Sequence, residues 1–179
     1  AVKKCNAKVC YIFPNNGNII LAASQAKEVL KDEYDIRVIP TKTIMQGVVS
    51  AMNFNPDLSN DDNESALNDA ISAVKSGAVT FSIKDTEING VSVKKDEYMA
   101  IRESKDIISS FKDKIDALRD LIKHLVDEDS ALVTILYGED VSDEDANALI
   151  DEFNNEYPDF EFDIRKGNQP VYSFIVGVE

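Results

Sequence analysis

The chain has 179 residues, 44% of them hydrophobic, and a formal net charge of −14. That length can bury a sizeable core, as one domain or two small lobes. The charge argues against a nucleic-acid partner, whose phosphates demand Lys/Arg clusters, and no apolar run approaches the roughly 20 residues of a bilayer span.

The opening AVKKCNAK lacks a basic-then-apolar leader and begins on Ala1, reading as the end of a helix. A fragment of a longer protein is expected. Cys5 and Cys10 are too few for a disulfide framework. Cys10 lies in an apolar run and is expected as a buried free thiol, which fits a reducing cytoplasm.

Residues 8–13 (KVCYIF), closed by Pro14, read as a buried strand. Asn15-Asn16-Gly17 is turn chemistry, and Asn18 is the expected cap of a helix with Ile19, Ala22, Ala23, Ala26, Val29 and Leu30 at helical spacing. Residues 36–39 form a second buried strand, closed by Pro40. Thr43 and Gln46 form a capping box for a helix running to about Phe54, and Pro56 stops it. Strand, helix, strand, helix implies a right-handed parallel crossover.

Residues 55–64 read as a polar surface connection. Ser59 or Asn60 caps the next helix, with Leu67, Ala70, Ile71 and Val74 on one face and an end near Gly77. Val79, Phe81 and Ile83 then alternate with polar residues, as in a half-buried strand. Asn89-Gly90, between Ile88 and Val91, signals a two-residue hairpin. Strands over 97–102 and 106–111 precede a helix over about 112–126, with Ile115, Leu118, Ile122 and Leu125 on one stripe. A strand over 132–136 leads into Tyr137-Gly138-Glu139-Asp140, and a helix capped by Ser142 carries Ala146, Leu149, Ile150 and Phe153. Phe160, Phe162 and Ile164 mark a strand with one wet face. A turn at 167–170 precedes a last strand over 171–178.

The expected fold is α/β, with a parallel or mixed sheet and βαβ units. It divides into a βαβαα lobe over 1–77 and a second α/β lobe with the Asn-Gly hairpin over 78–179, or stands as one domain with a mixed sheet. Neither a GxxxxGK[ST] nor a GxGxxG between strand and helix is present, so no ATP site is expected. His124 is the only histidine and sits late in an amphipathic helix, where a structural role beside the helix dipole is expected. The acidic runs 127–129 and 143–145 read as solvated charge, with no specific metal site. Catalytic residues are therefore not expected.

The loops carry the remaining interest. Asn15, Asn16 and Asn18 in the first, and Thr41, Lys42, Thr43 and Gln46 in the second, follow strand carboxyl ends, where open α/β sheets bind ligands. Helix N-termini favour an anion there, and Lys42 adds a charge. The same residues are also good caps and turn formers, and composition leaves both readings open.

FPNNGNIILAASQA and VIPTKTIMQGVVSAM resemble the C-terminal region of the fatty acid kinase A proteins, also known as DAK-phosphatase or YloV-like and related to dihydroxyacetone kinases. The resemblance continues through VTFSIKDTEINGVSVKKDEYMAI, VTILYGEDVS and QPVYSFIVGVE, covering essentially the whole chain. It implies a fold related to the DegV fatty-acid-binding proteins, with the start of the first lobe missing. It also implies a parent kinase whose ATP and Mg²⁺ are held in another domain, and which phosphorylates a fatty acid carried by a DegV-type partner for phospholipid synthesis. A homodimeric parent is among the expectations. The segment itself is then a non-catalytic module that recognises the carrier. The alternatives are a degenerate dihydroxyacetone- or small-polyol-binding domain, and a lipid-binding domain like DegV.

Overall fold

The computed structural model describes residues 1–179 as two compact units, Ala1–Val74 and Lys75–Glu179. The first unit opens with a single turn, α1 (Val2–Cys5), followed by β1 (Val9–Ile12), α2 (Gly17–Leu30), β2 (Asp35–Val38), α3 (Ile44–Met52) and α4 (Asn60–Ala73). β1 and β2 pair in parallel, Cys10 opposite Ile36 and Ile12 opposite Val38, so the βαβ unit expected from the sequence is present.

Both strands are less buried than their composition suggested. All four β1 residues are half-buried, Cys10 among them, because the sheet ends at two strands. The core instead collects Ile36, Ile39, Met45, Val49 and Leu67, each at most 4% exposed, as α3 packs on α4 and α2 on β2. Ser50 on α3 donates to the Leu67 carbonyl at 2.7 Å, fixing that helix pair.

The α2 stripe is a correction. Ile19, Ala22, Ala26 and Val29 face solvent, with Val29 81% exposed, and only Ala23 of the expected stripe is fully buried. The helix has turned its Ile20–Ala23–Lys27–Leu30 side inward, a second face that is apolar enough to serve. Its cap is Asn16, whose side chain accepts from the Asn18 N–H at 2.8 Å, so Asn18 is already the second helical residue.

α3 stops at Met52 rather than Phe54, with Asn53 bonding back to the Ser50 and Ala51 carbonyls. Ser59 caps α4, which starts at Asn60 and shortens the expected connection. Asn63, 1% exposed, holds the intervening turn. It accepts from the Asn55 N–H at 2.9 Å and donates to the Asn55 carbonyl at 2.8 Å. α4 ends at Ala73, short of Gly77, because Val74 turns extended and the next strand begins at Lys75.

The second unit is a six-stranded mixed sheet. Its strands are β3 (Lys75–Phe81), β6 (Tyr98–Arg102), β7 (Asp106–Phe111), β8 (Leu132–Tyr137), β9 (Glu161–Lys166) and β10 (Tyr172–Val178). They lie in the order β7-β6-β3-β10-β8-β9, antiparallel except for β8 and β9. β4 (Thr86–Ile88) and β5 (Val91–Val93) form the hairpin arm. Asn89 at φ 55° and Gly90 at φ 80° supply the paired positive dihedrals of a type I′ turn. The alternation expected at Val79, Phe81 and Ile83 fails. Val79 is buried, but Phe81 ends the strand 44% exposed and Ile83 lies beyond it, 76% exposed.

α5 (Lys114–Leu125), capped by Asp113, and α6 (Asp143–Glu156), capped by Ser142, share one core with the sheet. Leu118, Leu121 and Ile122 of α5 belong to the same buried cluster as Val79 and Val176, while Phe153 of α6 stacks on Phe162 of β9 at 5.2 Å between ring centroids. Strong amphipathicity with good caps makes these helices readable from sequence.

Candidate functional site

The two loops singled out in the sequence meet in space. Asn15, at φ 55°, adopts the left-handed conformation that Asn tolerates better than most residues. This places its backbone N–H 3.0 Å from the Thr41 hydroxyl oxygen, and that hydroxyl donates to Asn15 Oδ1 at 2.8 Å. Thr41 is fully buried, and the reciprocal pair satisfies its hydroxyl both as donor and as acceptor.

Thr43 caps α3, its hydroxyl accepting from the Gln46 N–H at 3.2 Å. The Gln46 side chain accepts from the Lys42 N–H at 2.7 Å, one residue before the Thr43 N–H that an ordinary capping box uses. Gly47 completes the clasp. A Cβ there would lie 2.0 Å from Asn15 Oδ1, so only glycine admits the amide.

The seven candidate residues therefore divide. Asn15, Thr41, Thr43 and Gln46 commit polar groups to loop-to-loop and capping bonds. Asn16 caps α2 from an exposed position. Asn18 and Lys42 are exposed as well.

Beside the loops, Tyr11, Phe13, Ala51 and Phe54 line an open apolar pocket of about 260 Å³, with Tyr11 and Phe54 edge-to-face at 5.4 Å. The sequence reading missed it, although one signal was there. α3 reads IMQGVVSAM, whose only polar side chains, Gln46 and Ser50, stand four apart on one side, so apolar residues occupy the rest of its circumference and call for cover. Ile44, Val48 and Met52, four residues apart, nevertheless face solvent at 41%, 40% and 80% exposure.

An ion network ties β2 to the start of α4. Arg37 holds Asp35 through two bonds, 2.7 and 3.1 Å, and reaches Glu64 at 2.7 Å and Asp61 at 2.5 Å. The Arg37 hydrogen bond holds the Asp35 carboxyl below its ordinary value, and the same contacts push the guanidinium higher still. A depressed carboxyl stabilises the fold above its ordinary pKa of about 3.9, and that contribution is lost as pH falls through the lower folded value. Arg37→Ala, which leaves three carboxylates facing one another, is expected to destabilise by about 1–2 kcal/mol at pH 7. The deficit should shrink in urea midpoints as pH falls below about 4, where wild type loses the same contribution.

No three His, Cys, Asp or Glu side chains converge to hold a metal ion. His124, in the second unit, contacts the Asp120 carbonyl through Nδ1 at 2.8 Å, one turn back on its own helix. Nothing in the first-unit loops pairs a nucleophile with a base. No helix is long and apolar enough to cross a membrane.

The profile of the fatty acid kinase A-like C-terminal family matches residues 1–179. The chain belongs to this family. Protein YloV of Bacillus subtilis is 43% identical over 179 residues, and a protein of Staphylococcus epidermidis is 38% identical over 178. This chain spans 32% of the length of each.

Among solved structures, a DegV family protein from Eubacterium eligens loaded with heptadecanoic acid superposes with a TM-score of 0.65 at 11% identity. That match covers 97% of this chain and 74% of that one. The fatty acid kinase B3 protein of Streptococcus pneumoniae, loaded with linoleic acid, gives 0.66 at 13% identity, covering 97% and 72%. The fatty acid kinase A-like C-terminal domain thus has the DegV fold, as the sequence resemblance implied.

Proposed function

We propose that this chain is the non-catalytic recognition module of an ATP-dependent fatty acid kinase, docking the DegV-type protein that carries the acyl chain. The observation that carries the reading is the family match over all 179 residues, joined to a loop site whose polar groups are paired with each other. A site built that way presents a fixed surface and supplies no attacking group. ATP and Mg²⁺ belong, on this reading, to the part of the longer polypeptide that this third of its relatives' length does not span. The kinase works in the cytoplasm, where ATP is available, and hands its acyl phosphate to phospholipid synthesis.

The exposed side chains of Asn18 and Lys42, and the part of the Asn16 amide that does not cap α2, are left to contact the partner.

The test compares the full-length kinase with a version lacking these 179 residues, measuring carrier binding and carrier-dependent acyl phosphate formation. Loss of both with ATP binding retained is the expected result. Undiminished carrier binding after deletion, or ATP turnover by the 179-residue chain alone, would sink the proposal.

A further inference from the structure

The two cysteines of the chain stand five residues apart, and the fold brings them together. Cys5 is the last residue of α1, and Asn6 ends that turn in the left-handed conformation, at φ 48° and ψ 36°. The chain reverses there, and Cys10 enters β1 opposite Ile36. The reversal puts the two thiols in hydrogen-bonding contact. The other contact of Cys5 Sγ is with the Ala1 carbonyl oxygen at 3.6 Å, a weak bond on its own turn that is easily given up.

Structural cysteines stay inert because burial in apolar surroundings seals them. This pair has no such seal, since Cys5 is exposed and Cys10 only half-buried at the rim of a two-stranded sheet. Lys4 and Lys8, both exposed, flank the pair and make a locally basic spot in a chain of net charge −14. Such a spot draws an anionic reagent. Burial, and then the hydrogen bond and charge of Cys5, push the Cys10 thiol up. Cys10 therefore waits protonated while the exposed Cys5 meets solvent.

We propose that Cys5 and Cys10 form a reversible, redox-sensitive disulfide, with a small anionic disulfide such as oxidised glutathione as the oxidant. Cys5, as thiolate, attacks one sulfur of the oxidant, forming a mixed disulfide and releasing the first glutathione thiolate. Cys10 then gives its proton to solvent and attacks the Cys5 sulfur. The Cys5–Cys10 bond forms and the second glutathione thiolate leaves. Two electrons pass from the protein to the glutathione disulfide, and the two protons shed by the protein end on the two glutathione thiols. In a reducing compartment the pair rests as the dithiol, and the bond forms only while oxidant is present. It ties α1 to the strand that carries Tyr11 and runs on to Phe13 and the Asn15 loop. The site stands apart from the kinase reading and does not depend on it.

The test uses the full-length protein, equilibrated at graded ratios of reduced to oxidised glutathione, quenched with acid, alkylated and digested with trypsin. Cleavage after Lys4, Lys8 and Lys27 puts Cys5 in residues 5–8 and Cys10 in residues 9–27. The bond is then read as these two peptides joined, whatever other cysteines the polypeptide holds. The joined pair should dominate in oxidising buffer and disappear with dithiothreitol. Half-oxidation should occur at a glutathione ratio at least about tenfold more reducing for the native protein than for the same protein in urea, because the fold holds the thiols together. By reciprocity the bond favours folding by the same factor, so the oxidised protein should have the higher urea midpoint. Cys10→Ser should keep glutathione on Cys5, trapping the first step.

Equal half-oxidation ratios in native buffer and in urea would overturn the proposal, since the fold would then contribute nothing to the pairing. Glutathione held separately on Cys5 and on Cys10 of the wild-type protein would overturn it too. So would a Cys5–Cys5 bond between two molecules in place of the joined pair.

Discussion

Gly47→Ala is expected to destabilise the chain by about 1–3 kcal/mol, although alanine is the better helix former. Glycine inside a helix costs about 1 kcal/mol relative to alanine, so α3 alone would gain from the change. The added Cβ, however, would sit 2.0 Å from Asn15 Oδ1 and 2.7 Å from its Cγ, and the amide must leave. Its departure removes the acceptor from the buried Thr41 hydroxyl, and an unsatisfied buried polar group costs roughly 1–3 kcal/mol. The displaced Asn15 also disturbs its own N–H bond to Thr41.

The sign can be checked within the protein. In an Asn15→Gly background the φ of 55° remains easy and the obstructing amide is gone. There Gly47→Ala should become neutral or stabilise by up to about 1 kcal/mol. Urea midpoints of the four proteins of this cycle measure the coupling. A Gly47→Ala penalty that persists unchanged in the Asn15→Gly background would show that the clasp is not its cause.

Gly138→Ala should have a still larger effect, about 3 kcal/mol or more. Here the obstruction is backbone. A Cβ would meet the Tyr172 carbonyl oxygen at 2.4 Å and that of Gln169 at 2.8 Å, and neither can rotate away as a side chain does. The same stretch is stapled by the Gly138 N–H donating to the Ser173 carbonyl at 2.8 Å and the Glu139 N–H to Gln169 at 3.1 Å. Opening room for a methyl group would pull β10, the strand between β3 and β8, away from its neighbour. For a chain of this size the loss corresponds to a melting temperature lower by about 6–12 °C. Gly17→Ala is the control, since no atom lies within 4 Å of the position its Cβ would take. A Gly138→Ala protein melting within 2 °C of wild type would contradict the packing described.

The parts of the fold that sequence reasoning reached are those where local chemistry and tertiary packing agree. Asn89-Gly90 demanded positive φ at two successive positions and obtained it. Ser142 with Ala146, Leu149 and Phe153 behind it gave both a cap and a buried stripe, and both are present. α2 went the other way because it is apolar on two sides. Spacing alone could not decide between Ile19 and Val29, on the expected stripe, and Ile20, beside it, as the residues turned away from solvent. Phe81 and Ile83 misled because alternation continued in sequence beyond the point where β3 stops pairing.

In the candidate site, both loops were legible from their Pro, Asn and Thr residues, but the bond between them was not. It joins residues 26 apart, Asn15 and Thr41, and depends on a glycine that carries no pattern of its own. The pocket was hidden for the same reason, since Tyr11 and Phe54 meet only through the fold. α3, polar only at Gln46 and Ser50, was the one sign in the sequence of apolar side chains left facing solvent.

The first unit carries seven Lys/Arg against nine Asp/Glu and the second twelve against twenty-four, which bears on how the 179-residue chain by itself stays dispersed. A face such as the α3 stripe invites indiscriminate clumping, and a near-neutral protein bearing it would be colloidally fragile. The surplus of acidic groups in the second unit gives every molecule a common negative sign, so copies repel at range before their sticky sides can find one another. That protection weakens with added salt, which shortens its reach. It vanishes near the isoelectric point of about 4.4, where the first unit's apolar face is left without its electrostatic guard.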